Sequence, residues 1–381
     1  MGTFVKTTES YRQGARTLPG RYYTAPEVQA EEREQIFRGR WICVGRAADF
    51  ASGGEYRLAE VAGDPLIILR DRQGTLRAFY NVCRHRGTRL CETPRGRFSE
   101  TIQCPYHAWT YALDGRLIGA PHMNEAEGFD KQDYPLHPVA LGQWEGFVYV
   151  NLHPRPEPFT VAFAPLAGRF ARFNLPALRT VRRIEYEVQA NWKLILQNYN
   201  ECLHCPTIHP ELSKKLPYLS GSNDLVDGPF LGGYMEITPP NASATISGRT
   251  CGLPLGDLPP SERHRAHYYS IFPTMMLSLH PDYAVFYTVW PQSPKESRVV
   301  CEWMVHPDSP ASPGYNIQDA EELWDRTNRQ DWHICEQSQI GISSSVYQPG
   351  PYSPRESIPA AWDQEYLRAL GHGGGPEHRD A

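Results

Sequence analysis

Residues 197–210 read QNYNECLHCPTIHP and place two histidines on either side of a proline. Apolar residues recur at spacings of three and four ahead of and within this stretch, which predicts a helix over residues 191–205. Pro206 removes a backbone donor and disfavours helical geometry at the residue before it, so the helix is expected to end there. His204 and His209 could then converge on an open metal site. Taken alone, however, the stretch favours two histidines that make ordinary hydrogen bonds near a helix end.

The chain has 381 residues, with 38 basic and 43 acidic side chains and a formal net charge of −5. Its length favours two domains, and its balanced charge gives no reason to expect nucleic acid or a membrane surface as a partner. The sequence has no apolar run of about 18 residues and no apolar signal-peptide core, which predicts a cytoplasmic protein without a membrane segment. Its nine cysteines favour metal ligation or buried free thiols over a disulfide framework.

Changes in composition and residue patterning divide the chain into four parts. Short β-rich runs separated by Gly, Asp and Pro turns predict a small all-β domain over residues 41–153, and the proline-punctuated segment 153–158 marks its end. Residues 154–370 combine helical patterns with strands rich in Tyr, Phe, Val and Trp, which predicts an α+β fold class with an antiparallel sheet and covering helices. A helical segment over residues 1–40 is expected to pack on this second domain, and residues 371–381 are expected to be disordered.

The first predicted domain contains two cysteine/histidine pairs, Cys83 with His85 and Cys104 with His107. Each pair follows a β-rich run and can point two ligands into one loop tip. A zinc ribbon is the alternative, but it commonly uses two thiolates in each pair. One thiolate and one imidazole in each pair fit better a cluster in which two cysteines hold one iron and two histidines hold the other. Neutral imidazoles raise the reduction potential of such a cluster, which suits it to pass electrons on.

Three motifs, CRHRG at 83–87, CPYHAW at 104–109 and NECLHCPTIH at 200–209, resemble in this order those of the catalytic α-subunit of Rieske non-haem iron oxygenases. The resemblance spans roughly residues 15–365. It implies a small all-β Rieske [2Fe–2S] domain followed by a helix-grip-like catalytic domain with a mononuclear Fe(II). It also implies dioxygen and a small molecule as substrates, a separate NAD(P)H-dependent reductase and a homotrimer.

In that family two histidines and one carboxylate hold the mononuclear iron and leave positions open for dioxygen. The resemblance supplies His204 and His209 as the two histidines. Asp331 lies in the middle of the buried face of a helix predicted over residues 319–340. A buried carboxylate needs a partner, which could be iron or an arginine. The context QDWHICE at 330–336 resembles that of the family's carboxylate ligand and favours iron.

Glu201 lies three residues before His204. The resemblance implies that it links this histidine to His107 of a neighbouring subunit and so carries electrons between the two metal centres. Many family members have aspartate at this position, and glutamate resembles those that act on quaternary amines. A glutamate on a helix surface is the alternative. Cys202 and Cys205 are interpreted as packing thiols, because thiolate ligation would close positions that dioxygen needs.

The sequence indicates the substrate less directly than it indicates the metal ligands. Side chains on the predicted strands are expected to form a roof over the iron, and their aromatic rings could hold a trimethylammonium group, although such a stripe also fits plain core packing. The first hypothesis is a monooxygenase that demethylates or hydroxylates a small quaternary amine such as a betaine. The alternatives are hydroxylation of an aromatic acid and, from another class, a zinc-stabilised binding protein. The residues expected in the roof are Met276, Ser278, Phe286, Thr288 and Trp290.

Overall fold

A computed structural model describes residues 13–372. The chain divides into two compact units, one formed by residues 37–167 and the other by the residues on both sides of it. The boundary expected at residue 153 therefore lies at residue 167. The reason is that the segment after the prolines packs on the first unit: the Phe159 ring lies against Gly142, where a Cβ would come within 2.2 Å of it.

The unit of residues 37–167 consists of three small antiparallel sheets, as expected for a small all-β domain. One core cluster of buried side chains includes Cys83, Cys104 and Trp109, so the predicted Cys/His pairs are anchored in this core. The strands are β1 (Ile42–Arg46), β2 (Glu55–Val61), β3 (Asp64–Arg70), β4 (Leu76–Tyr80), β5 (Arg95–Arg97), β6 (Thr101–Gln103), β7 (Thr110–Ala112), β8 (Leu117–Gly119), β9 (Ala140–Trp144) and β10 (Phe147–Asn151). Their sheet orders are β1-β10-β9, β4-β3-β2-β5 and β6-β7-β8.

The other unit is built on a seven-stranded antiparallel sheet of order β11-β17-β16-β15-β14-β13-β12. Strands β14 and β15 are separated by a tight turn, because the chain turns back at the proline that follows Phe272. The strands are β11 (Arg179–Val188), β12 (Ser222–Leu225), β13 (Phe230–Glu236), β14 (Arg265–Ile271), β15 (Met275–Leu279), β16 (Tyr283–Ser293) and β17 (Glu296–Val305).

Helices cover one face of this sheet. The hydroxyl of Tyr186 donates to Asp325 at 2.7 Å and that of Tyr287 to Asn328 at 3.3 Å, so the helix of residues 317–342 packs on the edge strand β11 and on β16. The α+β fold class predicted from the sequence is confirmed. The helices are α1 (Arg21–Thr24), α2 (Pro26–Glu32), α3 (Phe159–Ala162), α4 (Trp192–Tyr199), α5 (Cys205–Ile208), α6 (Pro210–Lys215), α7 (Ile317–Ile342) and α8 (Ser357–Ala369).

Both ends of the described chain lie on the larger unit. Glu32 of α2 forms a buried ion pair with Lys193 of α4 and accepts a hydrogen bond from Tyr366 of α8. His372 pairs with Glu31 at 2.9 Å, so the start of the expected disordered tail is in contact with α2, and residues 373–381 lie outside the described residues, as do residues 1–12. Between residues 13 and 372, no helix is both long enough and apolar enough to cross a membrane.

Candidate active site

Residues 83–88 and 104–109 form two loops, the Cys/His loops, that share one backbone shape. In each loop the cysteine N–H donates to the carbonyl oxygen five residues later, at 2.8 Å in both. The residue four after the cysteine donates back to the cysteine carbonyl, at 3.1 Å in one loop and 3.2 Å in the other. That residue is left-handed in both cases: Gly87 has φ +74° and Ala108 has φ +56°. The sequence therefore builds the same loop twice, each presenting one cysteine and one histidine.

The four side chains of the Cys/His loops are arranged as a mixed sulfur and nitrogen donor set. Cys83 and Cys104 are 2 % and 3 % exposed, whereas the imidazoles of His85 and His107 are half-buried with ring centroids 4.7 Å apart. The buried Nδ1 of His85 has no hydrogen-bond partner in the described part of the chain. A ligand at this nitrogen would satisfy it, so the residues fit a group held by two sulfurs on the inside and two imidazoles on the outside.

The chain around His204 leaves helical geometry earlier than expected. Helix α4 ends at Tyr199 rather than at Cys205, and the Asn200 side chain donates back to the carbonyl of Leu196 at 2.8 Å. The carboxylate of Glu201 accepts from the backbone N–H of Leu203, a local bond that competes with helix formation. The helix predicted over residues 191–205 therefore does not reach Glu201 and His204, and a tight turn brings these two residues together instead.

Cys202 and Cys205 close this turn through a disulfide, so they are not the packing thiols that the sequence suggested. The other seven cysteines are buried thiols that take part in no disulfide, as expected. The Cys205 sulfur lies 3.8 Å from Nε2 of His204, but a disulfide sulfur is not a thiolate and is a poor metal ligand. A donor set of His204, Cys205 and His209, whose atoms lie within 4.8 Å of one another, is therefore the weaker candidate.

The stronger donor set consists of His204, His209 and Asp331. His204 and His209 flank α5, and Asp331 projects from α7 towards them. The Asp331 Oδ1 atom lies 3.2 Å from Nε2 of His204 and 2.8 Å from Nε2 of His209. Two imidazoles and one carboxylate thus meet at one point, which is the arrangement of donors that non-haem Fe(II) oxygenases use.

Each of the two imidazoles is fixed by a hydrogen bond at its Nδ1 atom, on the side of the ring away from Asp331. Nδ1 of His204 lies 2.6 Å from Glu201 Oε1, and Nδ1 of His209 lies 2.8 Å from Gln330 Oε1. Because these acceptors keep the proton on Nδ1, each Nε2 lone pair is directed towards Asp331 and is available to a metal. Gln330 was not singled out from the sequence. Its position next to Asp331 on the same helix was the signal that could have identified it.

The electrostatics of this cluster favour a cation. Burial by itself lowers the pKa of His204, but the hydrogen bonds to Asp331 and Glu201 outweigh it and raise the pKa to about 10. For Asp331, burial raises the pKa, but hydrogen bonds from both imidazoles outweigh this effect and keep the pKa below its ordinary value. Two carboxylates around two imidazoles therefore stabilise added positive charge, which a proton or a metal ion can supply.

A cavity of about 100 Å³ opens onto the cluster. Besides the histidines and Asp331, it is lined by the glycines of β13 and by three aromatic rings. Among its described lining residues, Glu201 and Asp331 supply the carboxylates, and none is a lysine or an arginine. The three rings belong to Tyr199, Tyr268 and Trp324, whereas the Tyr234 ring lies on the opposite face of the sheet, where it packs against the Arg265 guanidinium.

None of the five side chains expected to form the roof lines this cavity. Strand register explains why. Met276 and Ser278 lie on the face of the sheet that bears Tyr268. The Tyr199 side chain, however, lies between Ser278 and the cavity, and its hydroxyl is hydrogen-bonded to that of Ser278 at 2.9 Å. The other three, Phe286, Thr288 and Trp290, lie on the opposite face, because Phe286 is paired with Leu277. The expected set thus mixed both faces of the sheet.

Comparison with known proteins identifies both units. A model of the Rieske [2Fe–2S] domain matches residues 40–135, and a model of the ring hydroxylating alpha subunit (catalytic domain) matches residues 175–372. These matches do not favour the alternative of a zinc-stabilised binding protein.

Relatives with known activity match over most or about half of the chain. The glycine betaine monooxygenase oxygenase subunit of Chromohalobacter salexigens is 32 % identical over 379 residues, covering 90 % of this chain and 83 % of that protein. The carnitine monooxygenase oxygenase subunit of Escherichia coli is 36 % identical over 203 residues, or 53 % of this chain and 54 % of that one.

Among solved structures, the quaternary ammonium Rieske monooxygenase CntA in complex with L-carnitine is 25 % identical, with a TM-score of 0.78 over 94 % of this chain and 96 % of that one. The chain therefore belongs to the Rieske non-haem iron oxygenases, as an oxygenase subunit that carries a Rieske [2Fe–2S] cluster and a mononuclear iron and works with a separate reductase on a small molecule.

Proposed function

We propose that this chain is the terminal oxygenase of a monooxygenase that oxidises a small quaternary amine such as a betaine, by N-demethylation or hydroxylation. The observation that carries the proposal is the wall of the cavity, with three aromatic rings, two carboxylates and no lysine or arginine among its described residues. Aromatic faces and carboxylates attract a trimethylammonium group. An aromatic acid would bring a carboxylate to this wall without a cationic partner, so hydroxylation of an aromatic acid is disfavoured.

The metal-binding roles belong to the same proposal. We assign the cluster to the two Cys/His loops, where two buried sulfurs and two half-buried imidazoles fit it, and the mononuclear iron to the point where two Nε2 atoms meet a carboxylate oxygen. The cluster ligands are Cys83, His85, Cys104 and His107, and the iron ligands are His204, His209 and Asp331.

Ferrous iron supplies open coordination positions for dioxygen when it is bound. The chain's own residues prepare the site: Glu201 and Gln330 fix the two imidazoles, and the aromatic rings hold the cation and exclude water. Demethylation of a trimethylammonium group takes up dioxygen, two electrons and two protons. It releases formaldehyde, water and the protonated dimethylamine product.

Glu201 is our candidate for the path between the two centres. Its carboxylate is bonded to His204 at 2.6 Å, and in a homotrimer it would link this ring to His107 of a neighbouring subunit. The proposal includes this homotrimer, an NAD(P)H-dependent reductase as the electron donor and a cytoplasmic location.

Formaldehyde release tests the proposed reaction. With its reductase, NADH and glycine betaine, stachydrine or carnitine, the holoenzyme should form one formaldehyde for each dioxygen consumed, and mass spectrometry should find the substrate shortened by one methyl group. A reaction without substrate controls for uncoupled NADH oxidation. A hydroxylated product of unchanged methyl count would select hydroxylation. Turnover of benzoates with no product from any quaternary amine would contradict the proposal.

Gln330→Ala should lower the affinity for the mononuclear iron by about 10- to 100-fold, because His209 loses the acceptor that fixes its Nδ1 proton. The measurement is iron retained during titration with a chelator. Gln330→Glu keeps an acceptor oxygen at this place and should retain iron much better than the alanine variant. Equal iron affinity in the wild type and the alanine variant would show that Gln330 does not position His209.

A further inference from the structure

Two hydrogen-bonding groups on the cavity wall have no partner. The hydroxyl of Tyr268 and the Nδ2 atom of Asn223 are buried and make no hydrogen bond in the described part of the chain. Burial raises the pKa of Tyr268, so its hydroxyl keeps its proton and can donate. Leaving a buried donor unpaired costs about 1–3 kcal/mol, and such groups are rare in folded proteins. We therefore expect both groups to form hydrogen bonds with a ligand that enters the cavity.

The two groups belong to one row across the edge of the sheet. Asn223 of β12 is paired with Gly233 of β13, and Gly233 is paired with Tyr268 of β14. Gly233 has no side chain, and a Cβ there would lie 2.0 Å from the carbonyl oxygen of Ser222, so the close approach of β12 requires glycine. Asn223 and Tyr268 are thus the two side chains that this row offers to the cavity.

The polar atoms of the two neighbouring aromatic residues, Tyr199 and Trp324, already have partners. The hydroxyl of Tyr199 is bonded to Ser278 at 2.9 Å, and the indole nitrogen of Trp324 donates to Tyr283 at 2.6 Å. Their rings remain available to a cation, but their polar atoms are not free. The Tyr268 ring lies 6.3 Å from that of Tyr199 and 6.2 Å from that of Trp324. Free donors and cation-binding rings therefore share one small space.

We infer that Tyr268 and Asn223 form a subsite for an acceptor oxygen of the substrate, such as a carboxylate or hydroxyl oxygen at the end away from the ammonium group. This inference rests on the proposed function and makes it more specific. Two neutral donors can bind a carboxylate whose charge is balanced by the ammonium group of the same molecule, which explains how the wall can do without lysine or arginine. A quaternary amine that lacks the oxygen leaves both donors unpaired and is selected against.

Equilibrium binding tests the subsite without turnover. The holoenzyme is titrated by calorimetry, without dioxygen or reductase, with glycine betaine, with choline and with isobutyltrimethylammonium, which has a similar shape but no oxygen. Tyr268→Phe and the near-isosteric Asn223→Leu should each weaken binding of at least one oxygen-bearing ligand by about tenfold or more. Binding of isobutyltrimethylammonium should change by less than about twofold. Loss of affinity for glycine betaine alone assigns the subsite to a carboxylate, and loss for choline alone assigns it to a hydroxyl group.

Tyr269→Phe is the matched control on the same strand. The Tyr269 hydroxyl lies on the opposite face, where it donates to Asp224 at 3.2 Å, so this variant should lose some thermal stability and bind all three ligands as the wild type does. Tyr268→Phe should keep or raise the melting temperature, because it removes an unpaired buried hydroxyl. Unchanged binding of both oxygen-bearing ligands in both variants, or an equal loss for all three ligands, would overturn the subsite alone. A wild-type protein that binds none of the three would overturn the proposed function and the subsite with it.

Discussion

Asp331→Ala should leave the Rieske absorption spectrum intact, remove the mononuclear iron and abolish turnover. The physical reason is that the Asp331 Oδ1 atom contacts both imidazole Nε2 atoms, so its loss leaves two neutral donors to hold a divalent cation. Iron and acid-labile sulfide should be measured per chain, since sulfide counts the cluster independently. Iron should fall by one equivalent while sulfide stays constant.

Asp325→Ala on the same helix is the control for Asp331→Ala. Asp325 accepts from Tyr186 and pairs with Arg329, away from the cavity, so its loss should affect stability and leave the iron content unchanged. Full iron content and normal turnover of the Asp331 variant would refute its assignment as a ligand.

Glu201→Gln should keep both metal centres filled and slow oxidation of the reduced cluster by about tenfold to hundredfold. Glutamine has the shape of glutamate and can still accept from Leu203 and His204, but it lacks the charge that stabilises the His204 ring. The measurement is stopped-flow absorbance of the reduced holoenzyme after mixing with dioxygen and substrate.

Glu211→Gln provides the matched control for this experiment. Glu211 is an exposed glutamate on α6 that pairs with Arg326, and its replacement should leave the rate unchanged. An unchanged rate in the Glu201 variant as well would show that this carboxylate does not lie on the electron path.

Much of the candidate site could be predicted because its signals are local. The two Cys/His pairs fall within runs of three and four residues, and His204 and His209 are separated by a single turn of helix. Asp331 could be found because the period of a helix places it on the same face as Trp324 and Thr327, which are buried. The structure brings Asp331 to both histidines, although their assignment as ligands stays a prediction.

The cavity wall could not be predicted in the same way. The expected roof mixed both faces of the sheet, because the strand after Phe272 turns back and the register of β15 and β16 cannot be read from period-two alternation alone. Asn223 and Tyr268 are 45 residues apart and meet in one row only through the intervening Gly233. No local pattern marks either residue.

The sequence by itself determined the family, the α+β fold class and the residues that can offer metal ligands, because these depend on spacings of a few residues. Only the tertiary structure decided where α4 ends, how Glu201 and Gln330 hold the two imidazoles, and which side chains face the cavity. The physical reason is that strand register and side-chain hydrogen bonds are set by contacts between residues far apart in the chain, which local patterns of polarity do not encode.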